Sequence, residues 1–349
     1  MGLKILHSAD WHLDSPFSSF PEAQRRRLRQ ELRKVPGRIV ELAHTEQVDL
    51  ILLAGDLLDG TASRESIDLM RHTLREFGVP VFISPGNHDF CGPDSPWLEE
   101  SWPENVHIFT GALESVVIPE LGCRIYGAGY QSMDCPPLLK DFRAQGQERY
   151  CIGLLHGDPM VRQSPCCAIT AAQVRESGLD YLALGHIHKA GSFQSGSTLC
   201  AWPGCPMGRG WDETGEKGVC IVTLEDTVKI RAVPLDFLRF YDLEVEMEEN
   251  AQSTLEQVLP ATGGEDFYRI TLTGSGAPDL DELRELFSHF PNLELRSRTE
   301  PPIPLWTQLE EDSLRGVYFR LLKDSEDPNA RLAAEISQKL LLGKEVQLP

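Results

Sequence analysis

The run Val79-Pro80-Val81-Phe82-Ile83-Ser84-Pro85-Gly86-Asn87-His88-Asp89 decides the fold. It reads as a buried strand that ends in a Pro-Gly turn and then presents an amide, an imidazole and a carboxylate in succession. Polar side chains at a strand's carboxyl end face the crevice in which open α/β sheets bind ligands. Four other stretches repeat the pattern. Asp10-Trp11-His12 follows Leu3-Lys4-Ile5-Leu6-His7, and Gly55-Asp56 follows Leu50-Ile51-Leu52-Leu53-Ala54. His156 closes Cys151-Ile152-Gly153-Leu154-Leu155, and Gly185-His186-Ile187-His188 follows Tyr181-Leu182-Ala183-Leu184. Taken singly, each has an ordinary explanation: Asp10 and Asp56 suit helix N-caps, and Asn87 suits a turn. Five strand ends that each carry a metal-capable side chain point to one shared crevice.

Between these strands lie helical patterns. Leu28, Leu32, Val35, Ile39 and Leu42 recur at three- and four-residue spacing across residues 22–47, with Pro36 predicting a kink or break. A helix over residues 64–77 separates the second and third strands, so the core is strand-helix-strand and largely parallel. Residues 106–130 change to short strands that read as an antiparallel sheet edge. Residues 218–224 and 228–233 read as a hairpin. The rhythm resets near residue 237: strands over 240–246, 267–272 and 293–298 alternate with helices over 251–259 and 280–287. Pro301-Pro302-Ile303-Pro304 signals a linker, and two helices with apolar faces follow over 314–323 and 329–342. The expected division is 1–235 as the main domain, 236–300 as a small α+β domain, and 301–349 as linker and helical tail.

The formal net charge of −20 argues against a chain that binds nucleic acid by electrostatics alone. One dense basic run, Arg25 to Lys34, reads either as a solvated helix face or as a phosphate-tracking patch. Nine cysteines without a CxxC pair read as buried free thiols, not a disulfide framework. No apolar run approaches the roughly 20 residues that span a bilayer, and no signal-peptide pattern is visible, so a cytoplasmic location and no membrane contact are expected.

The candidate ligands are Asp10, His12, Asp56, Asn87, His156, His186 and His188. Imidazole, carboxylate and amide oxygen without thiolate suit Mn²⁺, Fe²⁺ or Zn²⁺, with Mg²⁺ a further candidate. Seven side chains exceed the needs of one tetrahedral ion. A shared Asp56 divides them between two, with Asp10, His12 and His188 on one and Asn87, His156 and His186 on the other. Two such ions suit in-line attack at a phosphoryl group. His88, beside a ligand, is expected as general acid at the leaving oxygen, with Asp89 orienting or charging its ring. His7 reads either as a packed strand residue or as support for the site.

Asp10-x-His12, Gly55-Asp56, Gly86-Asn87-His88-Asp89, His156 and Gly185-His186-x-His188 together resemble the calcineurin-like metallophosphoesterase family. The resemblance implies a four-layer αββα sandwich and a two-metal centre. Residues 7–17, 184–189 and Trp202-Pro203-Gly204-Cys205-Pro206-Met207-Gly208-Arg209, with the trailing Glu213-x-Gly215-x-Lys217-Gly218-Val219, are similar to the DNA-repair exonuclease branch (SbcD/YhaO-like). That branch implies a Mn²⁺-dependent exo- and endonuclease on DNA, often a homodimer. It also implies an SbcC-like coiled-coil ATPase partner, with residues 236–300 as a capping domain and the tail as a partner-binding segment. Arg209 becomes a candidate substrate contact. The alternatives are a phosphatase or phosphodiesterase for small nucleotide-type substrates, and a non-catalytic binding subunit of a complex.

Overall fold

The computed structural model describes residues 2–247, 250–300 and 305–343. The chain divides into two compact units, residues 1–241 and 242–349. The first runs β1 (Leu3–Ser8), α1 (Glu22–Leu32), α2 (Val35–Glu46), β2 (Leu50–Leu53), α3 (Arg64–Glu76), β3 (Val81–Ile83), α4 (Pro96–Glu99), β4 (Val106–Ile108), β5 (Glu114–Ile118), β6 (Cys123–Gly127), β7 (Tyr150–His156), α5 (Ala171–Glu176), β8 (Tyr181–Gly185), β9 (Gly191–Ser195), β10 (Thr198–Trp202), β11 (Gly218–Leu224) and β12 (Val228–Pro234). Two six-stranded sheets result, in the orders β12-β11-β1-β2-β3-β4 and β5-β6-β7-β8-β10-β9.

The sheets pack face to face. Leu3, Ile5, Leu50, Leu52, Phe82, Val222 and Leu224 from the first meet Ile125, Ile152, Leu154, Tyr181 and Ala183 from the second. Every second residue supplies this layer, as the two-residue side-chain period requires. Leu6, Ile51 and Leu53 lie between them and are also fully buried, so β1 and β2 are covered on both faces. The amphipathic helices α1 to α3 bury Leu28, Leu32, Ile39, Met70 and Leu74. On the outer face of the second sheet, Leu155, Leu182, Leu184 and Cys200 pack with Val174 of α5. The result is the αββα sandwich.

Two local differences from the sequence pattern have clear causes. The helical run over 22–47 is two helices: α1 stops at Leu32, and α2 restarts with Pro36 in its first turn, where a missing N–H costs nothing. β4 is not antiparallel. It pairs parallel with β3 at the edge of the first sheet, because the long connection that holds α4 returns the chain to the same end. β5 and β6 do form an antiparallel pair, as do β11 and β12.

The second unit holds β13 (Phe240–Glu246), which begins just before the boundary, α6 (Ala251–Val258), β14 (Phe267–Thr273), α7 (Leu280–Leu286), β15 (Leu293–Ser297), α8 (Leu314–Lys323) and α9 (Ala330–Leu341). β13, β14 and β15 form a three-stranded sheet, with β14 and β15 parallel. α8 and α9 bury Phe319 and Ala334, and Tyr318 bonds Ser337 at 2.7 Å between hydroxyls. Leu314, Leu321, Leu340 and Leu341 remain exposed around a groove of ≈ 830 Å³. The Pro301-Pro302-Ile303-Pro304 linker lies outside the described residues. No described helix is long and apolar enough to cross a membrane.

Candidate metal centre

The loops after β1 and β2 are zipped together by backbone bonds. Asp10 N–H donates to Gly55 O at 3.0 Å, and His12 N–H donates to Asp56 O at 2.9 Å. Asp10, His12 and Asp56 all adopt left-handed backbone, with φ of 54°, 49° and 50°, and His186 joins them at 93°. Such conformations cost of order 1–3 kcal/mol each in non-glycine residues and persist only where the surroundings impose them. Here they turn side chains from separate strands toward one point. Close approach explains the neighbouring glycines. A Cβ on Gly55 would sit 2.7 Å from His156 Nδ1, and one on Gly86 would collide with the Asp56 carboxylate.

All seven expected ligands converge. Asp10, His12 and His188 each offer an atom within 4.8 Å of the others, and so do Asp10, Asp56 and His156. His156 Nδ1 donates to Ala54 O at 2.8 Å, which leaves Nε2 to face Asn87 Oδ1 at 3.0 Å and Asp56 Oδ2 at 3.3 Å. His186 Nδ1 lies 3.2 Å from the same Asn87 oxygen. His12 Nε2 and His188 Nε2 face each other at 3.2 Å, the latter 4.0 Å from Asp10 Oδ1. Lone pairs aimed at lone pairs are satisfied only by a cation or a proton between them, so the donor set fits divalent ions.

The protonation behaviour has the same origin. Burial opposes a charge on His156, yet Asp56 and Asp10 overrule it and push the imidazole up to about 10. Burial also pushes upward on Asp56, but His156 and His12 hold its carboxyl well below the usual range. Asp10 is driven up to about 6 by burial, and His12 down to about 3 by burial and the Arg209 charge. Burial, with the charge of His156, takes His186 down to about 4.

His88 is the exposed member of the cluster, its ring centroid 4.8 Å from that of His12. Asp89 is not its partner. The Asp89 carboxylate turns inward and accepts backbone N–H bonds from Gly86 at 2.7 Å, Asp56 at 3.1 Å, Leu57 at 2.8 Å and Leu58 at 3.3 Å. Consecutive residues in a tight turn point to opposite sides, and the buried side needed an acceptor for four donors. The carboxylate that holds His88 belongs to Asp59, at 3.0 Å from Nδ1, and this bond raises the His88 pKa. Asp59 was not singled out by the sequence; the Asp56-x-x-Asp59 spacing in the turn after β2 is the signal that carried it.

Arg209 lies at the site, but its guanidinium is engaged by Glu213 at 2.8 Å and approaches Asp59 at 3.9 Å. Glu213 also accepts from His188 Nδ1 at 2.7 Å. His7 spans the two sheets, with Nδ1 2.7 Å from the Tyr181 hydroxyl and Nε2 donating to Leu184 O at 3.0 Å. A cleft of ≈ 530 Å³ opens beside His88, lined by Leu58, Phe90 and Pro93 among others. Four cations of the Arg25 to Lys34 run have carboxylate neighbours: Arg25 and Arg26 pair with Glu22, Arg33 with Glu65, and Lys34 with Glu31, while Arg29 donates to Pro16 O.

A sandwich of two mixed sheets thus brings imidazole, carboxylate and amide donors together at its strand ends, a donor set suited to divalent metal ions. Residues 3–190 match the calcineurin-like phosphoesterase family, and the chain belongs to it. The chain is 36% identical over 237 residues to the metallophosphoesterase YhaO of Bacillus subtilis, a match that covers 63% of this chain and 57% of YhaO. It is 23% identical over 328 residues to the SbcD component of the SbcCD nuclease of Staphylococcus epidermidis, covering 83% of this chain and 84% of that one. These relatives are those of the SbcD/YhaO-like branch. Among solved structures, a dimetal phosphatase from Danio rerio aligns with 66% of this chain and 96% of its own at 15% identity, with a TM-score of 0.43.

Proposed function

We propose that the chain is a two-ion phosphodiesterase that acts on DNA as the nuclease component of a complex with an SbcC-like ATPase. The observation that carries the reading is the convergence of His12, Asn87, His156, His186 and His188 around Asp10 and Asp56, with the exposed His88 held beside them by Asp59. In this reading Asp10, His12 and His188 hold one ion, Asn87, His156 and His186 the other, and Asp56 serves both. When bound, two Mn²⁺ ions supply the Lewis acidity that activates water and neutralises charge on the phosphoryl group. His88, its pKa raised by Asp59, delivers a proton to the leaving oxygen. Asp89 holds the turn that presents Asn87 and His88.

The DNA substrate is supported by the likeness to a nuclease component along most of both chains. A partner is supported by two surface features. Arg25, Arg26, Arg33 and Lys34 of the basic run have acidic neighbours that offset their charge, and the exposed leucines of α8 and α9 form an apolar face of the second unit. An acidic chain that cleaves a polyanion holds it more tightly when a partner adds cationic surface.

The test is cleavage of a labelled linear duplex and of a bis-aryl phosphodiester by the purified chain with Mn²⁺, alongside His88→Ala. The expected result is turnover of both, with DNA cleavage lost in the variant. Ester turnover without DNA cleavage, persisting when a cognate ATPase is added, would favour a small nucleotide-type substrate. Failure on both with metal bound would leave a binding subunit.

A further inference from the structure

The two oxygens of the Glu213 carboxylate, which is buried, face four groups. Oε1 lies 2.7 Å from His188 Nδ1 and 2.8 Å from an Arg209 guanidinium nitrogen. Oε2 accepts the Arg209 backbone N–H at 2.8 Å and a 3.6 Å contact from the Cys205 thiol. The same guanidinium nitrogen is 3.1 Å from His188 Nδ1. Both are donors when His188 keeps its proton on Nδ1 and directs that N–H at Glu213, so that closeness is imposed by the carboxylate they share. The other arm of Arg209 approaches Asp59 Oδ2 at 3.9 Å, and Asp59 Oδ1 holds His88. One half-buried cation thus stands between two carboxylates, each of which holds a different histidine.

The turn after β10 reinforces this arrangement. Cys205 N–H donates to His188 O at 3.3 Å, and Trp202 Nε1 donates to Lys189 O at 2.9 Å. Gly204 has a φ of 76°, and a Cβ there would sit 2.6 Å from His188 O. The backbone of His188 is therefore gripped by the same loop whose end supplies Glu213.

We propose that Glu213 is a positioning residue for His188, and that Arg209 is the cation that keeps Glu213 and Asp59 in place, not a group that reaches substrate. The inference rests on the two-ion reading above. A carboxylate on Nδ1–H fixes the imidazole tautomer, leaves the Nε2 lone pair for an ion, and makes the ring a stronger ligand. Arg209 supplies the counter-charge without which a buried carboxylate is not tolerated.

The test is calorimetric titration of chelator-stripped full-length protein with Mn²⁺, comparing wild type, Glu213→Ala and Glu213→Gln, with circular dichroism to establish folding. Wild type takes up two ions. Glu213→Ala weakens one site by about 10–100-fold and leaves the other close to wild type. Glu213→Gln, which keeps an acceptor for Nδ1, shows a smaller loss at that same site. Affinities that match wild type in the folded variants would overturn the proposal, and so would equal losses at both sites. If Glu213→Ala does not fold, the Gln variant decides between the same outcomes. A wild-type chain that takes up no Mn²⁺ overturns the two-ion reading, and this inference with it, before any variant is compared.

Discussion

Asp59 Oδ1 lies 3.0 Å from His88 Nδ1, although 29 residues separate them and Asp89 is the carboxylate next to His88 in sequence. Asp59 raises the His88 pKa through this bond. A general acid works while protonated, so activity falls as pH rises through that pKa. Asp59→Asn removes the charge that sustains the proton, and the alkaline limb of the kcat/KM profile moves to lower pH. His88→Ala lowers the DNA rate by about 10²–10⁴-fold. It costs far less on an aryl ester, whose leaving oxygen needs no proton. An alkaline limb unmoved in Asp59→Asn would show that Asp59 does not act through His88.

Chelation has a structural cost as well as a catalytic one. His156 Nε2, Asn87 Oδ1, Asp56 Oδ2 and His186 Nδ1 crowd together with only protons to separate them once ions are removed. EDTA is expected to lower Tm, and Mn²⁺ to restore it progressively, about 2.7 kcal/mol at one hundred times Kd for each site. A Tm indifferent to both reagents would count against ions in this crevice.

His7 gives a pH signature away from the ligands. Burial takes its pKa down to about 3 against an ordinary value of 6.5. The unfolded chain therefore binds the extra proton first, and stability drains away as pH falls from 6.5 toward 3. His7→Gln, which can still bond Tyr181 and Leu184, flattens that part of the Tm–pH curve measured in EDTA. An unchanged slope would mean that His7 does not contribute and that His12, His186 and the depressed carboxyls of Asp56 and Glu213 carry the acid sensitivity.

Leu321→Glu tests the tail. Leu321 is 69% exposed, so the substitution changes little in the isolated chain. Tm and turnover of the small ester stay at wild-type values, while co-purification with a co-expressed SbcC-type ATPase is lost. Retained co-purification would put the partner elsewhere.

The convergence of the candidate ligands was legible because each follows an apolar strand, and a parallel sheet carries its strand ends to one edge. Asp10, His12, Asp56, Asn87, His156, His186 and His188 needed only the strand pattern to be brought together. Asp59 and Glu213 were not legible in the same way. Their work is to hold another residue's ring, and that partner lies far along the chain: Glu213 reaches back 25 residues to His188. Asp89 misled for the opposite reason, since adjacency to His88 says nothing about which side of the turn a carboxylate faces. β4 was misread because short strands near a hairpin look alike whether the preceding connection is a turn or a crossover. The break between α1 and α2 was readable at Pro36, which sits in the first turn of the restarted helix.

The left-handed backbone at Asp10, His12, Asp56 and His186 makes the working protein something other than the hardiest protein this fold could be. Each of those positions would accept glycine or asparagine with less conformational tension, and Asp10→Asn would also remove a carboxyl that burial already drives up to about 6. Screens that reward heat resistance in the presence of a chelator should therefore collect inert chains, with replacements gathered at the crevice and not in the apolar layer between the sheets. Durability and chemistry compete here for the same few backbone angles.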